Sequence, residues 1–183
     1  HKYIYGQAFA IYALSEYYRA TGEAHALERA VALFRTLERC AFDPVNGGYF
    51  EAYERGWQGD IRRQDSPINV EGGGVKSMNT HLHLLEAYTT LLRVWDSREM
   101  RAKVRQTLQT LLDRVVDRDL YHYKMFFDER WQPVCPNISY GHDIEGSWLM
   151  MEACEVLGEA DLFAPVRAVC MNMAQACLKE AVG

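Results

Sequence analysis

Apolar positions recur three and four residues apart along nearly the whole chain, which predicts helix after helix. Phe9, Tyr12, Ala13 and Leu14 run on to Tyr17 in a first helix. Thr21-Gly22-Glu23 breaks it, and a second helix spans Ala26 to Cys40 with Ala30, Leu33, Phe34 and Leu37 on one stripe. Asp43-Pro44-Val45-Asn46-Gly47-Gly48 is a turn cluster, and Gly48 to Tyr53 reads as a short strand. A polar stretch follows from Glu54 to Gly74, long enough to suggest a functional or mobile connection; the glycine run Gly72-Gly73-Gly74 lacks phosphate-loop spacing and reads as flexible chain. Helices three and four are predicted over Lys76 to Trp95 and Ser97 to Val116. Tyr121 to Phe127 and Trp131 to Val134 read as a second small hairpin, helix five starts near His142 and ends by Gly158, and a sixth fills Ala160 to Ala181.

The odd-numbered helices share a weak repeat. Ser15-Glu16-Tyr17, Leu85-Glu86-Ala87 and Met151-Glu152-Ala153 occupy similar places, 70 and 66 residues apart. A helix pair standing alone leaves one face bare, so stacked pairs are expected. The predicted class is all-α: an (α/α) toroid of three helical hairpins in a single partial domain over 1–183, with small β-hairpins in the connections and the odd helices inside.

Composition narrows the function. At 183 residues, 49% hydrophobic and 25% charged, the chain can build one ordinary core. A formal charge of −5 offers no basic patch for nucleic acid. No apolar run suits a membrane span, and no signal segment stands at the start. The five cysteines are odd in number and show no CxxC spacing, so reduced, mostly buried thiols and a cytoplasmic location are expected.

Two segments carry candidate chemistry. On helix three, Asn79 and His83 are four apart and share a face. His81 lies about 200° round the helix from His83, which argues against a shared metal; on spacing alone, the stronger reading is that both rings are satisfied core or surface groups. On helix five, His142 and Glu145 share a face beyond Gly141. The helix dipole favours a neutral His142 ring, whereas Asp143 and Glu145 favour imidazolium. The bland alternative is that these carboxylates only complement the dipole. A neutral imidazole suits removal of a proton alpha to a carbonyl, with an amide such as that of Asn79 stabilising the enediolate oxygen. Most aromatic rings are expected in the core; Tyr5, at the mouth of helix one, is the one singled out for a sugar face.

Four stretches in order, Tyr5 to Leu14, Gly47 to Ala52, Lys76 to His83 and Ser139 to Glu145, resemble the cellobiose 2-epimerases of the N-acylglucosamine 2-epimerase family. The resemblance implies half of an (α/α)6 barrel and C2 epimerisation of the reducing-end glucose of cellobiose-like disaccharides, without cofactor or metal. It implies catalytic roles for His142 and His83, and substrate-binding roles for Asn79, Glu145 and Tyr5. The family also uses an arginine from an earlier helix and a second acid/base histidine with aromatic residues from later ones. Little or no turnover is therefore expected of the isolated monomer. Aldose–ketose isomerisation of the mannose type and a non-catalytic sugar-binding helical module are the other readings. A homodimer through exposed inner-helix edges is expected.

Overall fold

The computed structural model describes residues 1–58 and 74–181. Most of the polar stretch, with Gly72 and Gly73, lies outside the described residues. Six helices dominate: α1 (Ile4–Thr21), α2 (Ala24–Cys40), α3 (Met78–Val94), α4 (Arg98–Thr110), α5 (Tyr140–Leu157) and α6 (Ala160–Ala181). α1, α3 and α5 stand side by side, and each is backed by the helix that follows it. That is the stacked-hairpin arrangement expected, an arc of toroid rather than a closed ring.

Local chemistry sets the helix ends. Gly22 and Gly158 take left-handed φ of 74° and 67° past α1 and α5, and their N–H groups close onto the Tyr18 and Cys154 carbonyls. Ser77 and Ser97 cap α3 and α4, each accepting a backbone N–H three residues on. α3 is buried on most of its sides because α1, α4 and α5 all pack against it.

The connections differ from expectation. Lys76 and Ser77 are not helical; they form β3, which pairs antiparallel with β4 (Phe126–Phe127). The expected hairpin from Tyr121 to Val134 reduces to β4 and a single bridge from Phe127 to Pro133. The strand expected over Gly48 to Tyr53 shortens to β2 (Ala52–Tyr53), paired with β1 (Lys2–Tyr3) ahead of α1. The fourth helix ends in a π-helical turn, Leu111–Val115. Both strand pairs sit at the entry to an inner helix, fixing where α1 and α3 begin.

Two buried polar residues pin these connections. The Lys76 ammonium, fully buried, donates to Asp43 Oδ2 (2.7 Å) and to the Gly47 and Glu129 carbonyls. His81 Nε2 accepts the Tyr49 N–H (2.9 Å), and its Nδ1 donates to the Ser77 carbonyl (2.7 Å). The turn at 43–48 is thereby tied to the start of α3.

Candidate functional site

Each inner helix shows the same kind of stripe. α1 carries Tyr5, Phe9, Tyr12, Glu16 and Arg19; α3 carries Asn79, His83, Glu86, Thr90 and Arg93. These positions step by four and three, so each set runs up one face of its helix. α5 carries His142 and Glu145, then Trp148 and Glu152 higher up. Residues from all three stripes line one hollow of about 230 Å³, among them Tyr12, Glu16, Glu86, Arg93, Trp148 and Glu152. Larger clefts lie one beside α4, of about 590 Å³, and one between α1 and α2, of about 620 Å³; none of the three hollows is lined by His83, His142, Asn79, Glu145 or Tyr5.

Side-chain contacts set the register. The Phe9 ring lies 4.5 Å from that of His83, and Arg93 donates to Glu152 at 2.8 Å. Glu86 and Trp148 line the same hollow as that ion pair. Arg93 is ten residues beyond His83, and Glu152 is ten beyond His142. At a rise of about 1.5 Å per residue, each histidine lies roughly 15 Å of helix before its own helix's member of the Arg93–Glu152 pair.

The histidines have distinct surroundings. His83 is 8% exposed, and its Nδ1 lies 3.0 Å from Glu86 Oε2. His142 is half-buried, its Nδ1 2.7 Å from the Ser139 hydroxyl just ahead of α5. Asn79, Glu145 and Tyr5 are each half-buried on the same helices. His81, by contrast, is sealed in the core between Tyr49 and Trp131, and burial pushes its ring down to about 4. The ring is thus held neutral, with both nitrogens engaged in fixing backbone, and it shares no environment with His83.

Asp143 departs from the dipole-complement reading. Fully buried, it accepts the Tyr123 N–H (2.8 Å) through Oδ1 and His122 Nδ1 (2.8 Å) through Oδ2. His122 Nε2 reaches Glu180 on α6 at 3.2 Å. This network anchors the first turn of α5, and so the position of His142. Gly146 lets the Tyr123 ring lie against α5, where any Cβ would collide with it. His122, Asp143 and Cys177 also form the cluster of potential metal donors among the described residues, their atoms within 4.8 Å of one another. The donors are already paired with one another, and burial, then Asp143, push the Cys177 thiol up and keep it protonated.

Four further residues lie on the inner face without having been singled out from sequence: Phe9, Tyr12, Glu86 and Trp148. Burial and then the Glu86, Glu16 and Glu152 carboxylates raise the Tyr12 hydroxyl, which stays a proton donor. Trp148 is 61% exposed, an indole face open to a ligand. For Glu86 the signal was present in the repeat, since Glu16, Glu86 and Glu152 occupy its equivalent places and all line the hollow.

Fold and face together define an arc of an α/α toroid whose inner surface is polar, aromatic and histidine-bearing. The family model of N-acylglucosamine 2-epimerase (GlcNAc 2-epimerase) matches residues 1–182. The chain belongs to that family. It is 44% identical over 177 residues to a cellobiose 2-epimerase of Bacteroides fragilis, covering 96% of this chain and 44% of the relative. It is 34% identical over 182 residues to a cellobiose 2-epimerase of Dictyoglomus turgidum, covering 98% and 45%. The solved cellobiose 2-epimerase of Bacillus thermoamylovorans superposes with a TM-score of 0.91 at 34% identity, over 98% of this chain and 45% of that one. A D-mannose isomerase structure, at 16% identity and a TM-score of 0.75, shares the fold. The chain therefore spans a little under half the length of these relatives.

Proposed function

We propose that this chain forms one side of a carbohydrate 2-epimerase site that receives the reducing-end glucose of cellobiose-like disaccharides. The observation that supports the reading is that the stripes bearing His83 on α3 and His142 on α5 continue along their helices into a hollow lined by all three inner helices. The curated relatives named as cellobiose 2-epimerases support the substrate class.

The chemistry follows from the groups present. Opening the sugar ring exposes a carbonyl at C1 and acidifies the proton at C2. His142, in the first turn of α5, serves as acid/base for that proton, and His83 acts at the C1 oxygen. Asn79 holds hydroxyls of the sugar and stabilises the enediolate, Glu145 orients sugar or ring, and Tyr5 closes the wall near the entry of α1. Inversion at C2 requires a proton on the opposite face of the enediolate. The two imidazoles come from neighbouring helices, so the monomeric chain binds sugar with little or no turnover.

Calorimetry with cellobiose tests this. Binding that weakens at least fivefold in Asn79→Ala and Glu145→Ala is expected; no binding, or binding indifferent to both changes, refutes the reading. Should product form, mannose at the reducing end marks reprotonation at C2, whereas a ketose marks C1 and the isomerase alternative. Two-copy association through the open edges of α1 and α5, where Tyr17, Ile144 and Trp148 stand exposed, belongs to the same reading. Light scattering that finds only monomers at high concentration removes it.

A further inference from the structure

The geometry points to Glu86 as the positioning residue of His83, locking its neutral ring as the Nδ1–H tautomer so that the Nε2 lone pair is the atom left for a sugar hydroxyl. The inference rests on the sugar-site reading for the identity of the ligand, but not for the state of the ring.

Glu86 sits three residues after His83 on α3, on the same face, and its Oε2 is 3.0 Å from Nδ1. A carboxylate oxygen can only accept, so Nδ1 must carry the hydrogen. A neutral imidazole has one N–H, so fixing it at one nitrogen makes the other an acceptor. Carboxylates that orient histidine ligands in metal sites work by the same logic. Phe9 packs against the ring at 4.5 Å with planes 42° apart, a contact that favours this orientation of the ring. Among the described residues Nε2 has no hydrogen-bond partner, and Glu86 itself borders the hollow.

His142 offers a contrast. Its Nδ1 partner is the Ser139 hydroxyl, which both donates and accepts, so nothing there commits the tautomer. The two imidazoles are therefore not interchangeable. His83 is set to accept a hydrogen, such as that of the anomeric hydroxyl, while His142 is free to give or take one.

Long-range proton–nitrogen NMR of histidine-labelled protein reads this directly, with His83 assigned by its loss in His83→Gln. The neutral His83 ring is expected as Nδ1–H in the wild type and in Glu86→Gln, whose amide oxygen still accepts. Glu86→Ala and Glu86→Leu, the second keeping the bulk, should shift it at least fivefold toward Nε2–H. His81, held by backbone on both nitrogens, reports that each variant is folded. A wild-type His83 found as Nε2–H, or an Nδ1–H form that survives in both folded Ala and Leu variants, overturns the proposal. If the tautomer moves as expected while cellobiose fails to bind the wild type, the positioning role stands and the sugar reading falls.

Discussion

Acid should destabilise this fold through His81, and the size of the effect follows from its surroundings. The ring is fully buried, its Nε2 accepts the Tyr49 N–H, and burial lowers it from 6.5 to about 4. Protonation would strip Tyr49 of its acceptor and place a cation in apolar packing beside Trp131. The folded ring binds a proton less readily than the unfolded one, so its contribution is fully present above pH 6.5. It is lost as the pH falls from 6.5 toward 4. At about 1.4 kcal/mol per unit, the loss is on the order of 3 kcal/mol. Urea unfolding followed by tryptophan fluorescence between about pH 7.5 and 4.5 gives the stability curve. His81→Gln keeps an acceptor for Tyr49 but cannot titrate. It should cost about 1–2 kcal/mol at neutral pH through the altered hydrogen bonds, and that deficit should vanish and reverse as the pH falls. Subtracting the two curves cancels the other titrating groups. Parallel curves for wild type and His81→Gln across this window would refute the argument.

Other perturbations probe separate parts of the structure. Lys76→Met leaves the nearly buried Asp43 carboxylate without its cation. It should cost about 3–5 kcal/mol in urea unfolding, and adding Asp43→Asn should recover part of that. Burial raises the Glu51 carboxyl, with Ser77 and Thr80 opposing, so its folded form prefers the proton and loses stability as the pH rises through its folded value. Glu51→Gln should therefore raise the melting temperature at neutral pH and leave it nearly unchanged in acid. Gly146→Ala drives a methyl group into the Tyr123 ring. A loss of about 1–3 kcal/mol is expected from overpacking, with a changed near-ultraviolet circular dichroism signal from the displaced tyrosine.

The helices were legible because their signal is local. Glycine ends at Gly22 and Gly158 and apolar steps of three and four are written in consecutive residues. The strands were misread because two-residue pairings such as Lys76–Ser77 with Phe126–Phe127 have no period to detect. Lys76 adjoins the helical pattern of α3 in sequence, yet its ammonium is claimed by Asp43, 33 residues earlier. The same distance problem hid the work of Asp143. Its partners His122 and Tyr123 lie 21 and 20 residues upstream in a loop, so the nearest visible explanation was the helix dipole. His83 and Asn79 share a face as their spacing requires, and His81 points away from it. What spacing could not provide was the third wall: Trp148 and Tyr12 reach the hollow only through the packing of α1 and α5 beside α3.

Titration of histidine-labelled protein with cellobiose, watched by ring NMR, tests most directly whether the inner row is a sugar site. The ring signals of His83 and His142 should both move with one saturating curve, while those of core-held His81 and of His25, exposed on α2, stay fixed. Cellobiose that leaves His83 and His142 unmoved, or that moves only one of them, would contradict a site shared by the two rings.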